Sequence, residues 1–90
     1  MTLHERDIEG YFVTRVKQLG GTVRTVKWIG INGAPDRFVM LPHDPAFWVE
    51  LKAPDKKPTE AQLIEHRILQ AYRQRVEVID SFRGVDELFK

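Results

Sequence analysis

The stretch "GAPDRFVMLPHDPAFWVELKAP", residues 33–54, decides how this chain folds. Two apolar runs, Arg37–Leu41 and Phe47–Lys52, flank "PHDPA". Its two prolines cannot donate to a ladder, so the segment predicts a β-hairpin. Side chains alternate along a strand, which sends Val49 and Leu51 to one face, toward a helix, and Glu50 and Lys52 to the other. With the turn at Pro42–Ala46, Asp36 at the open end of its strand comes beside Leu51 and Lys52, within reach of Glu50. Two acids and a lysine are thus set into strands that should be building a core.

Outward from the hairpin, the periodicities supply the remaining elements. Thr2 with Glu5 forms a capping box, and Ile8, Phe12, Val16 and Leu19 recur at helical spacing until Gly20-Gly21, predicting a helix over about 3–19. Residues 22–29 are rich in β-branched side chains and read as a strand, and "GINGAP" then forces a loop. Thr59 with Gln62 forms a second capping box before an apolar stripe of Ala61, Leu63, Ile64, Ile68, Ala71 and Tyr72, predicting a helix over about 60–74. "VEVID" at 76–80 is a strand, and the tail makes a last helical turn or two with Val85, Leu88 and Phe89 inward. The expected fold is α/β in the order α-β-β-β-α-β-α, a mixed sheet flanked by helices, with the crossover to "VEVI" parallel.

Ninety residues with 42% hydrophobic and 30% charged side chains describe one globular domain with a thin core, for which a second copy would be useful. The net charge of +1 and the lack of a long apolar run argue against a disordered or membrane protein, and the charged N-terminus is unlike a signal peptide. A cytoplasmic location is expected. With no cysteine, a metal must be held by oxygen or imidazole.

Close carboxylates such as Asp36 and Glu50 repel unless a cation lies between them. Oxygen-only ligation suits Mg²⁺ or Mn²⁺, which bind through one or two carboxylates plus substrate phosphate oxygens. A lysine beside them, Lys52, could hold and deprotonate an attacking water or offset charge growing on phosphate oxygens. This is equipment for phosphodiester hydrolysis. The glycines of "GINGAP" would let a bulky backbone such as DNA approach.

"APDR", followed fourteen residues after Asp36 by "ELK", looks like the PD-(D/E)XK nuclease motif. The wider pattern "GAPDRFVML…FWVELKAP…PTEAQ", with Glu9 on a preceding helix, resembles the VRR-NUC family of that superfamily. The resemblance spans nearly the whole chain and implies a restriction-endonuclease-like core. It further implies a metal held by Asp36, Glu50 and the Leu51 carbonyl, with Lys52 serving the water. Glu9, with Glu5 as its substitute one turn earlier, matches the family's helix acid, and Gln62 matches its glutamine. Small free-standing members from phages and bacteria are similar to Holliday junction resolvases and act as homodimers, so branched or four-way DNA is the substrate the resemblance implies. A flap or fork nuclease is one alternative, and a non-catalytic DNA-binding or dimerisation module another. Candidate phosphate contacts are Lys56, Lys57, Arg67, Arg73 and Arg75, with Arg24, Lys27 and Trp28 as a second group. His4, His43 and His66 lack metal-ligand spacing and are expected at the surface.

Overall fold

A computed structural model describes residues 2–90. The elements are α1 (Glu5–Gln18), β1 (Thr22–Thr25), β2 (Arg37–Met40), β3 (Phe47–Leu51), α2 (Glu60–Ala71), β4 (Val76–Ile79) and α3 (Phe82–Leu88), in the expected order. The sheet runs β1-β2-β3-β4, with β1/β2 and β2/β3 antiparallel and β3/β4 parallel. β3 is therefore central, paired on both edges.

The core lies on one face of the sheet. Ile8, Phe12 and Val16, at i, i+4 and i+8 of α1, pack with Val39, Phe47, Val49, Leu51, Ile79 and Val85. Tyr11 Oη donates to Asp86 Oδ1, tying α1 to α3 on the same side. Every second residue of β3 points the other way, and there Trp48 sits 4.6 Å from Phe38 and 5.0 Å from Trp28, measured between ring centroids. No helix among the described residues is long and apolar enough to cross a membrane.

Four expectations are corrected. The first cap is His4 with Asp7, whose carboxylate accepts the His4 N–H at 2.8 Å, rather than Thr2 with Glu5. β1 stops at Thr25, four residues short, because Trp28 leaves the ladder to stack on Trp48 and to donate Nε1–H to the Pro35 carbonyl at 2.8 Å. The hairpin register pairs Arg37 with Val49, so one step further Asp36 falls opposite Glu50, not beside Leu51 and Lys52. Finally, the apolar stripe of α2 is not its buried side: Leu63, Ile64, Ile68 and Tyr72 are exposed, and the one buried residue of the helix is His66.

Candidate functional site

The site lies at the mouth of the β2–β3 hairpin, where a buried acid is held on a central strand. β3 puts Val49 and Leu51 into the core, so the pleat turns Glu50 to the opposite face, beneath α2. Only 7% of Glu50 remains exposed. Burial pushes its carboxyl up to about 7. Lys52 opposes that rise, Asp36 and Glu5 add to it, and Arg37 acts with Lys52. Asp36, Glu50 and Lys52 therefore share one electrostatic neighbourhood. Its helix acid by charge is Glu5, since Glu9 does not figure among the groups that move Glu50.

Glu9 is engaged elsewhere. It accepts a hydrogen bond from Arg37 Nη2, and Arg37 Nη1 lies 2.9 Å from Asp36 Oδ1 as an ion pair without hydrogen-bond alignment. Burial works against charge on the Arg37 guanidinium, and the two carboxylates more than restore it. The resulting chain, Glu9–Arg37–Asp36, ties α1 to the first residue of the hairpin mouth.

His66 is a residue the sequence expectation missed. It is 5% exposed rather than on the surface, and its Nε2 lies 3.3 Å from Glu50 Oε1. Burial holds the imidazole below its ordinary pKa, with Glu65 opposing and Lys52 reinforcing. A neutral ring can meet either form of the acid, donating N–H to the carboxylate or accepting O–H from the carboxyl. The signal was present in α2's own spacing: Gln62, His66 and Leu69, at i, i+4 and i+7, form the inward side of a helix whose Ile64, Ile68 and Tyr72 face out. His4 and His43 are exposed as expected.

Gln62 is committed to its helix start. Its Oε1 accepts the Thr59 N–H at 2.9 Å, and its own N–H reaches Thr59 Oγ1 at 3.2 Å, completing the predicted capping box. The backbone there touches the loop that precedes Asp36, for a Cβ at Gly33 would stand 2.6 Å from the Ala61 carbonyl oxygen and 2.9 Å from Gln62 N. Gly33 has φ +86, so glycine is required twice over at this position.

Among the described residues no cluster of three or more His, Asp or Glu side chains suited to a metal occurs. The donor set at the mouth is thus Asp36 and Glu50 with neighbouring backbone carbonyls. Two carboxylates fit a hard divalent cation that keeps waters and takes further oxygens from a phosphate substrate.

The cations divide by position. Lys56 and Lys57 follow the site along the β3–α2 connection, and Arg67 is exposed on α2. Arg73 and Arg75 precede β4, and Arg75, whose carbonyl accepts the Trp48 N–H, lies at the end of β3 away from the site. Arg75 is further occupied by Glu77 at 3.0 Å and by the Phe47 ring, 4.2 Å away.

No family model matches the chain. A protein named "Putative nuclease p44", from Acyrthosiphon pisum secondary endosymbiont phage 1, is 42% identical over 79 residues, covering 88% of this chain and 85% of its own. A solved structure described as a VRR_NUC domain superposes with a TM-score of 0.86 at 37% identity, over 94% of this chain and 92% of that one.

Proposed function

Because the chain belongs to the VRR-NUC family of nucleases, we propose that it is a Mg²⁺- or Mn²⁺-dependent endonuclease of DNA, acting on branched substrates such as four-way junctions. The observation that carries this is the convergence of Asp36 with a buried, centrally held Glu50 and with Lys52 at one end of the hairpin. A module that only bound DNA would gain nothing by gathering acids where phosphates must approach.

Asp36, Glu50 and the Leu51 carbonyl would hold the cation. When bound, such a cation neutralises phosphate charge and makes water a better nucleophile. Arg37 fixes the Asp36 carboxylate from the α1 side, and Glu9 in turn fixes Arg37, so Glu9 serves the site by positioning. His66 orients Glu50 from the α2 side. Lys52 Nζ holds the attacking water or donates to the phosphate oxygens that gain charge as the leaving oxygen departs. Gln62 keeps the α2 start against the Gly33 loop and has its amide N–H groups left over for the substrate. Lys56, Lys57 and Arg67 take the DNA backbone near the cut, and Arg73 takes it farther along the duplex.

The active form is a homodimer. What supports this is the solvent-facing stripe of Ile64, Ile68 and Tyr72, four residues apart along α2 and its C-terminal cap, with Val78 also exposed on β4. Two sites related by a twofold axis could cut both strands of a symmetric junction.

The test is cleavage of a four-way junction, a fork, a flap and plain duplex, with and without Mg²⁺ or Mn²⁺, by wild-type protein, Asp36→Asn and Lys52→Ala. Metal-dependent cutting by wild-type alone, fastest on the junction, is expected. Cutting that persists in both variants would remove these residues from the site. Fork or flap as the fastest substrate would reassign the specificity, and sedimentation at micromolar concentration as a monomer would remove the dimer.

A further inference from the structure

The loop between β1 and β2 is pinned at its stem and apolar at its tip. At the stem, the Val26 N–H reaches the Asp36 carbonyl at 2.8 Å, Trp28 is stacked on Trp48 and bonded to the Pro35 carbonyl, and Gly33 lies on the Ala61 carbonyl. At the tip, Ile29 turns into Gly30 at φ +80 and is 89% exposed, and Ile31 beside it is 47% exposed. A cavity of about 380 Å³ runs from this tip to Asp36, lined by Lys27, Trp28 and Ile31 among others. An isoleucine left almost wholly in water at the end of a braced loop, one cavity away from the candidate catalytic acid, is free to meet an apolar surface there.

We propose that Ile29 and Ile31 form a wedge that enters an opened base step of the DNA whose phosphate lies at Asp36. This rests on the nuclease function proposed above and gives a physical basis for a preference for branched DNA. An apolar side chain between bases gains contact with their faces, but separating a stacked step costs a few kcal/mol. At a branch point the stack is already broken, so the same wedge enters at little cost. Lys27, on the wall shared with Asp36, supplies the matching charge for the backbone on either side of the opened step. The braced stem means that little ordering entropy opposes insertion.

The test uses four-way junctions and duplexes carrying 2-aminopurine at successive positions around the branch, bound by Asp36→Asn protein and by Asp36→Asn carrying Ile29→Ser and Ile31→Ser. The first should raise the fluorescence at one step, reporting unstacking, and the second should not. In protein with Asp36 intact, the double serine change should lower the ratio of junction to duplex cutting about tenfold, equivalent to about 1.4 kcal/mol, and Ile29→Leu should restore it. Equal fluorescence with both proteins, or none with either, overturns the wedge. So does sedimentation in which the serine changes alone split a dimer, which would make the tip a subunit contact. If Asp36→Asn still cuts, the catalytic assignment fails, while the fluorescence comparison continues to judge the wedge.

Discussion

Glu50 Oε1 and His66 Nε2 face one another across 3.3 Å, sixteen residues apart in sequence and both almost fully buried. A carboxylate on a strand gains a fixed orientation from an imidazole on the helix above it, as ligands commonly do from an outer partner. His66→Ala should lower kcat/KM for junction cutting by about 10- to 100-fold, and His66→Gln, which retains a donor, should recover part of the loss. Calorimetric titration with Mn²⁺ should show weaker binding for the alanine variant. Unchanged affinity and rate would make the contact one of packing only.

The raised carboxyl of Glu50 predicts a pH dependence of stability. Its ordinary pKa of 4.5 applies to the unfolded chain and about 7 to the folded one. Between those values the folded protein keeps a proton that the unfolded chain has lost, so stability falls as pH rises from about 4.5 to about 7 and levels off above. Glu50→Gln removes this loss and should be the more stable protein above pH 7, by up to about 3 kcal/mol, though inactive. Urea midpoints of the two proteins across pH 4–9 measure the difference. Added Mg²⁺ should narrow it, because a cation favours the ionised acid that only the wild-type possesses.

Lys52 acts on Glu50 by charge, and in the proposed site it serves the water or the phosphate and is not a metal ligand. Lys52→Met should reduce cutting by about 10²- to 10⁴-fold, the span of a single positioned proton-transfer group. Mn²⁺ binding by calorimetry should survive. Loss of the metal along with the activity would show that Lys52 holds the carboxylates together instead.

Gly33→Ala tests the brace between the loop and α2. Positive φ costs a non-glycine residue about 1–2 kcal/mol, and overpacking adds about 1–3 kcal/mol, since the new methyl would meet backbone. A loss of about 2–5 kcal/mol of stability, read by urea unfolding, is expected on that sum. Gly30→Ala shares the positive φ, but nothing lies within 4 Å of its Cβ position, so it should lose only the conformational part.

Much of this architecture was legible in the residues. Alternation in "FWVELK" and the 3.6-residue recurrence of Ile8, Phe12 and Val16 are local signals, and they gave the order of elements and the mixed sheet. The register is not a local signal, because it depends on which turn residues stay outside the ladder, and β2 stops at Met40 where the sequence favours Leu41. His66 stayed hidden because an apolar stripe ordinarily marks a helix's inner side. On α2 that rule inverts, since the sheet beneath presents an acid and needs a polar partner. The Glu9–Arg37–Asp36 chain joins residues 28 positions apart and leaves no trace in spacing.

The parallel partner of β3 has a consequence for the order of events during synthesis. Leu51 pairs with Ile79, and the Lys52 N–H is bonded to the Ile79 carbonyl at 2.9 Å. Until residues 76–79 have emerged from the ribosome, the strand bearing Glu50 has an open edge, and its last rung is unmade. His66 arrives earlier, but without β4 the crossover has nothing to dock on, and non-local pairings of this kind form late. A growing chain can carry every proposed catalytic side chain and still have no assembled centre, so its ability to cut would appear only once the sheet is whole.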